Sequence, residues 1–476
     1  MMTGKNGENM PNSTSLRQFL YGREYPIEEL PFDRALIEQY TRAGFISVRR
    51  GIEKTPGGLF ARLAGRSVYR CMRCGNTDPQ EFAAIHCSRC GRLCVYCRHC
   101  LNMGVIRSCT HLVVWTGPEP PQSHFSASEQ LCRWDGRRSA EQEEAAQRLK
   151  TSLAAGHSFL IWAVTGAGKT ELLFPAIEDL LKRGARLAIA TPRTDVVREL
   201  YPRLNIAFPT VPIGALYSGS NDRVPGAPLV IATTHQLLRF YHYFNAVVID
   251  EVDAFPFHAD PMLPFAVKKA ARKNAPIAYL SATPPADLKE AFLKGTLGGV
   301  RIAKRYHGRP LPVPRCRWTG NWRRSIDKGI LPEPLRRWIH RQYRSGRPLL
   351  CFVPSVGMAA AVAGLFRAEK IGPVAGVHAE DPQRHAKVSC FRNGQLRVLV
   401  TTTILERGVT VPRVDVVVFG ADDPLFDERA LVQIAGRVGR SPKTSAGEVV
   451  FFHNGRTLEM LRARRHIETM NREGGF

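Results

Sequence analysis

Residues 158–170, SFLIWAVTGAGKT, run from an apolar stretch through a glycine turn into TELLFPAIEDLLKR, which has helical periodicity. The stretch reads as a buried strand, a phosphate loop and a helix. It matches the pattern Ala163-x4-Gly168-Lys169-Thr170, with alanine where the first glycine usually stands. The physics of such a loop is specific. Backbone N–H groups around Thr165, Gly166 and Gly168, with the following helix N-terminus, cradle phosphates. Lys169 reaches the β and γ oxygens, and Thr170 turns a hydroxyl toward Mg2+. ATP and Mg2+ are therefore the expected ligands.

Downstream, the apolar strand NAVVI delivers Asp250-Glu251-Val252-Asp253. Asp250 at a strand end suits the Mg2+ shell, and Glu251 beside it is placed to orient and polarise an attacking water. Two adjacent acids alone read as a solvated turn; after VVI and with a phosphate loop upstream they read as catalytic. IAYLSAT sets Ser281 and Thr283 at the end of another strand, as a coupling element. Upstream, Ser139-Ala140-Glu141-Gln142 opens a helix with a capping-type start, and Gln142 can present its amide to an adenine edge.

The alternation resumes in PLLCFVPSV, an alanine-rich helix, VAGVHA, a helix through RHAKVSCFRNG, LRVLVTTT, VDVVVFGA and a helix ending in GRVGR. Strands alternating with helices predict an α/β chain with two parallel sheets, each covered on both faces. In QIAGRVGR, Gln433 leads to Arg437 and Arg440, two arginines able to reach a γ-phosphate held by the other half. Loss of an arginine used in this way costs about 10^3 or more in rate.

The formal charge of +25, from 67 Lys and Arg against 42 Asp and Glu, favours a polyanionic partner, nucleic acid before an anionic membrane surface. Thr191-Pro192-Arg193, Thr233-Thr234 and Thr401-Thr402 set hydroxyls and a guanidinium at strand ends, where phosphates can be held without reading sequence. Residues 301–350 carry fourteen Arg or Lys, with Trp318, Trp322 and Trp338 among them. They read either as a stacking surface for bases or as a solvated connection with packed tryptophans. No run reaches the length of a membrane span and the N-terminus lacks a signal-type apolar stretch, so the expectation is a cytoplasmic protein.

Seven of the twelve cysteines fall within residues 71–100. Cys71-x2-Cys74-Gly and Cys87-x2-Cys90-Gly have the form of zinc knuckles; Cys94, Cys97, Cys100 and Cys109 follow. Four thiolates suffice for one tetrahedral zinc and eight for two. A structural Zn2+ is expected, presenting Arg73, Arg89, Arg92, Arg98 and Arg107 to phosphates or forming a docking module.

The ordered set AVTGAGKT, TPR, TTHQLLRF, DEVD, SAT, TTTILERGV and QIAGRVGR resembles superfamily 2 helicases and translocases, over roughly residues 139–455. Within that group, DEVDAFPF, ILERGVTVP and the cysteine stretch ending CVYCRHCLNMG resemble the ComFA family of late competence proteins, the ATPases of bacterial DNA uptake. The resemblance implies two tandem RecA-like P-loop domains preceded by a small zinc-binding module. The expected divisions are a polar tail and accessory segment (1–65), the zinc module (66–112), the first ATP-binding domain (113–300), a basic linker (301–334) and the second domain (335–476). It implies Lys169 and Thr170 on phosphate and Mg2+, Asp250 and Glu251 activating water, and Arg437 and Arg440 as fingers. The family's four zinc ligands correspond to Cys71, Cys74, Cys97 and Cys100; Cys87, Cys90 and Cys94 exceed that pattern, leaving open a second zinc or another ligand choice. The implied activity is ATP-driven translocation on single-stranded DNA at the inner face of the cell membrane. The implied partners are a membrane DNA channel, ComFC-like and DprA-like proteins, and a second copy of the chain. Two alternatives stand beside it. One is a replication-restart helicase like PriA, whose cysteines sit inside the second half of the motor rather than before the phosphate loop; the other is a non-catalytic zinc scaffold for nucleic acid. Arg407-Gly408-Val409-Thr410 lacks the acid that meets ribose in DEAD-box RNA helicases.

Overall fold

The computed structural model describes residues 13–55, 68–121, 125–220, 224, 226–405, 411–439 and 447–476. The strand SFLIWA of the opening motif, Phe159–Ala163, is buried throughout, as a strand covered on both faces must be. It lies in a seven-stranded parallel sheet ordered Ile213–Leu216, Leu229–Thr233, Leu187–Thr191, Ala246–Asp250, Ile277–Ser281, Phe159–Ala163, Gly298–Ile302. A second parallel sheet has six strands, Arg315–Trp318, Val449–His453, Asp415–Phe419, Leu349–Phe352, Val398–Thr401 and Val374–Val377. The alternating apolar pattern thus yields the two expected α/β lobes.

Helices close on these sheets where local signals start them. Ser139 and Gln142 make a reciprocal capping box on helix Ala140–Ala154. Ser355, Asp427 and Thr457 cap Val356–Ala368, Glu428–Ala435 and Leu458–Glu473 by accepting from backbone N–H groups.

The two faces of the first sheet meet different cores. Ile189, Val248 and Leu280 face the helices that carry Leu149, Ile177 and Leu200. Their strand neighbours Ala188, Ala190, Val247 and Ile249 share a second cluster with helix Met262–Ala270, the turn Thr234–Arg239 and the sulfurs of Cys71, Cys74, Cys97 and Cys100. The cysteine module is therefore an outer layer on one face of the first lobe. Gly75 holds a φ of +76°, and a Cβ there would come within 2.5 Å of the Phe265 ring, so the first knuckle lies directly on that helix. Lys269 from the same helix is almost completely buried and donates to Glu24, to the Arg73 carbonyl and to the Leu238 carbonyl.

The N-terminal stretch contributes more than a tail. Glu24–Pro26 and Ile46–Arg50 flank His111–Trp115 in an antiparallel sheet whose own core is Leu16, Leu20, Ile37, Tyr40, Ile46 and Val113. The stretch 301–334, read from the sequence as a linker, contains Arg315–Trp318, which pairs along Val449–His453 as the edge of the second sheet. Trp322 and Trp338 are 2 % and 1 % exposed and pack in the second lobe's core, leaving only Trp318 of the three at the surface. Stacking on bases is thereby excluded for the first two.

Candidate nucleotide cleft and cysteine centres

Where Phe159–Ala163 ends, the chain turns through Gly166 and Gly168 at φ +82° and +74°, a conformation that side chains with a Cβ resist. At Gly168 a Cβ would also stand 2.7 Å from the Gln142 amide nitrogen. That nitrogen donates to the Ala167 carbonyl at 2.6 Å while its Oε1 accepts from Ser139, so Gln142 braces the phosphate loop against the capped helix. Lys169 Nζ lies 3.4 Å from the Ala163 carbonyl, folded back across the loop.

A cavity of about 600 Å³ opens over this loop. Gln142, Thr165, Gly166, Gly168, Lys169, Thr170, Asp250 and Glu251 line it from the first lobe, and Gln433 and Arg437 from the second. Residues far apart in sequence thus converge on one cleft. Arg440 and residues 407–410 lie outside the described residues. Gln433 and Arg437 are 4 % and 3 % exposed, nearly buried where the second lobe lines the cleft. Glu251 sits at φ +59°, a backbone conformation that costs a non-glycine residue free energy and recurs at functional turns. Two residues on, the Asp253 carboxylate accepts from Ser281 Oγ at 2.6 Å and Thr283 Oγ1 at 2.7 Å. The acidic turn is thereby tied to the neighbouring strand.

The lobes meet closely at this cleft. A Cβ on Gly436 would lie 2.0 Å from Thr165 Oγ1. Arg305, between the two sheets, is 2 % exposed and donates to the carbonyls of Val438 (2.7 Å), Gly439 (2.8 Å) and Gly436 (3.2 Å). The adjacent Tyr306 N–H donates to the Gly166 carbonyl at 3.0 Å. This segment straps the phosphate loop to the arginine-bearing turn. Sequence reasoning missed Arg305, whose contacts lie more than a hundred residues away. It also missed Trp134 and Arg137, which line the cleft just before the capping box, where a flat ring suits a nucleobase.

The expected phosphate-holding residues form a separate group. Thr191 and Thr233 stand side by side at the ends of adjacent strands, and Thr401 ends a strand of the other lobe. The hydroxyls of Thr191, Thr234 and Thr401 are buried with no hydrogen-bond partner among the described residues. Pro192 is buried in the turn, Thr402 is half-buried, and Arg193 donates across the lobes to the Ile404 carbonyl at 2.6 Å.

The cysteines divide into two sets of four, Cys71, Cys74, Cys97, Cys100 and Cys87, Cys90, Cys94, Cys109, each with its sulfurs within 4.8 Å of one another. Backbone N–H groups of Cys90 and Arg89 aimed at the Cys87 sulfur bring its thiol down to about 6. Arg73 does not face a phosphate. It is 5 % exposed, and its guanidinium donates to the Cys100 carbonyl at 2.7 Å and the Met103 carbonyl at 2.8 Å, and reaches Cys100 Sγ at 3.1 Å. Arg89 is engaged with Glu28, while Arg92 and Arg98 remain at the surface.

Residues 8–114 match the competence protein ComFA N-terminal domain, 139–291 the DEAD/DEAH box helicase family and 332–442 the helicase conserved C-terminal domain. The competence protein ComFA of Bacillus subtilis (strain 168) is 46 % identical over 464 residues, 98 % of this chain and 96 % of the relative. The chain belongs to the ComFA family. The competence protein ComFA of Streptococcus pneumoniae (strain ATCC BAA-255 / R6) is 38 % identical over 410 residues, covering 85 % of this chain and 91 % of that relative. In fold, the chain is similar to S. cerevisiae Dbp5 bound to RNA and ADP BeF3, with a TM-score of 0.53 at 16 % identity over 70 % of this chain and 88 % of Dbp5. This member of the family is thus a competence-related superfamily 2 helicase with two RecA-like lobes. No described helix is long and apolar enough to cross a membrane.

Proposed function

We propose that this chain is an ATP-dependent translocase on single-stranded DNA that drives DNA uptake in competent bacteria. The observation that carries the reading is the single cleft lined by Lys169, Asp250 and Glu251 from one lobe and Gln433 and Arg437 from the other. A triphosphate bound in it contacts both lobes, and cleavage removes what holds them together. Lys169 neutralises the phosphate oxygens, and the N–H groups of the loop orient them. Thr170 and Asp250 are the hydroxyl and carboxylate suited to Mg2+, which supplies charge neutralisation on the phosphates when bound. Glu251 orients the attacking water. Arg437, with Arg440, stabilises the charge that develops on the leaving phosphate oxygens.

Two lobes gripping one strand by its phosphates, at Thr191, Arg193, Thr233 and Thr234 on one side and Thr401 and Thr402 on the other, convert closing and reopening into a step along the strand. The first cysteine set has the donors of a structural zinc centre, four thiolates with no open position. The uptake machinery supplies the membrane placement, through a DNA channel and ComFC-like and DprA-like partners, with self-association as a further contact.

ATP turnover of the full chain, with and without single-stranded DNA and with RNA as competitor, tests the reading. DNA should accelerate the native chain, and Glu251→Gln should lower turnover about 10^2–10^4-fold while retaining nucleotide. Equal, negligible rates in both would leave a scaffold. Strand displacement of a forked duplex would instead favour a PriA-like helicase.

A further inference from the structure

We propose that Cys87, Cys90, Cys94 and Cys109 form a second, separate tetrahedral zinc centre at the outer tip of the N-terminal module. The proposal goes beyond the motor reading and does not depend on it.

Its first support is metric. With Zn–S bonds of about 2.3 Å, the sulfurs of a regular tetrahedron stand about 3.8 Å apart. Cys87 and Cys109 are separated by 3.7 Å and Cys90 and Cys94 by 3.3 Å. The first set gives 3.8 Å for Cys71–Cys100 and 3.7 Å for Cys74–Cys97. A disulfide would need about 2.05 Å. All four thiols of the second set therefore lie at single-ion spacing and none at bonding distance.

The second support is that the tip repeats the first knuckle bond for bond. Cys71 N–H donates to the Asn76 carbonyl at 2.9 Å and Gly75 N–H to the Cys71 carbonyl at 2.8 Å; Cys87 N–H donates to Arg92 at 2.9 Å and Gly91 N–H to Cys87 at 2.8 Å. Gly75 and Gly91 share a positive φ, +76° and +68°. The same backbone device thus presents two thiols in each.

The remaining ligands come from strand geometry. Cys94 and Cys97 lie three apart on Leu93–Cys97, so their side chains leave opposite faces. One goes to each centre. Cys109 is brought in by residues 106–110, which run back along that strand through Cys97 N–H to the Ile106 carbonyl (3.1 Å) and Ser108 N–H to the Val95 carbonyl (2.8 Å).

The third support is what the tip lacks. The first four sulfurs sit in the apolar cluster shared with the first lobe, whereas Cys87, Cys90, Cys94 and Cys109 belong to no such cluster among the described residues, although Val95 packs against the edge of the first. Ile85 is 47 % and Leu93 63 % exposed. A hairpin this poor in buried apolar area needs another source of folding free energy, and a metal centre supplies one.

The experiment is metal analysis by mass spectrometry of the full chain purified under reducing conditions. Two zinc ions per chain are expected, and one in Cys87→Ser/Cys109→Ser, with the thermal unfolding of the motor retained. Should that variant misfold, Cys90→Ser at the surface serves instead: it should yield one zinc at a chelator concentration at which the native chain keeps two. In a zinc-release time course with a thiol-directed mercurial, the native chain should lose its zinc in two phases, the faster one absent from the variant. One zinc in the native chain with Cys87, Cys90, Cys94 and Cys109 reacting as free thiols would overturn the proposal. So would iron in place of zinc, a Cys90–Cys94 or Cys87–Cys109 disulfide, or two zinc ions retained by the double variant.

Discussion

Gly436→Ala isolates the contact between the lobes from everything else in the cleft. Gly436 has an ordinary helical φ of −62°, so the backbone accepts alanine and the effect is purely steric. The new methyl would stand 2.0 Å from Thr165 Oγ1, 2.7 Å from its Cβ and 2.9 Å from its Cγ2. Rotating the Thr165 side chain moves the hydroxyl but not the Cβ, so rotation alone gives no relief. Reaching even 3.0 Å from the hydroxyl requires about 1.0 Å of separation, borne by the arginine-bearing turn moving off the phosphate loop. A misplacement of that size costs on the order of 10^2 in rate, about 2.7 kcal/mol of transition-state stabilisation. Nucleotide affinity depends mainly on the first lobe and should change little. Steady-state ATP turnover with single-stranded DNA, beside titration of a fluorescent nucleotide, separates the two. Native turnover by a correctly folded Gly436→Ala protein would refute the argument that the described closed arrangement is the reactive one.

Arg305→Ala removes three donated hydrogen bonds from buried carbonyls of the same turn. At about 1.5–3 kcal/mol for a charged hydrogen bond, it should lower thermal stability measurably and reduce kcat more than it raises KM for ATP, with Arg305→Lys recovering part of the loss. Ser281→Ala/Thr283→Ala strips two donors from the buried Asp253 carboxylate and should loosen the Glu251 turn. Turnover is expected to fall about tenfold or more, and Thr283→Ser alone should stay near native; equal losses in both would argue against a hydrogen-bond role.

The phosphate loop, the acidic turn and the parallel sheets were legible because each is written locally: an apolar run, then glycines or acids at a fixed offset. Gln142, Lys169, Glu251 and Arg437 sit in such motifs and are brought to one cavity, though the Gln142 amide, read as an adenine contact, is engaged with Ala167 and Ser139. Other features are set by partners distant in the chain. Arg315–Trp318 has an unremarkable RCRW pattern and becomes a strand only because Val449–His453 lies beside it. Arg73 looked like a phosphate ligand by composition, yet the carbonyls of residues 100 and 103 close around it. The partition of eight cysteines depends on which face of Leu93–Cys97 each side chain leaves, and spacing alone does not reveal which thiols then meet.

The layering of the cysteine module over helix Met262–Ala270 bears on how the enzyme can be trimmed. A motor cut free at residue 115 would bare Phe240, Phe265 and the flank of Lys269, and would leave that lysine's ammonium without its acidic neighbour Glu24. Such a fragment would be sticky on that bared face, so its failure in solution would report the loss of a cover and not a defect in the nucleotide cleft.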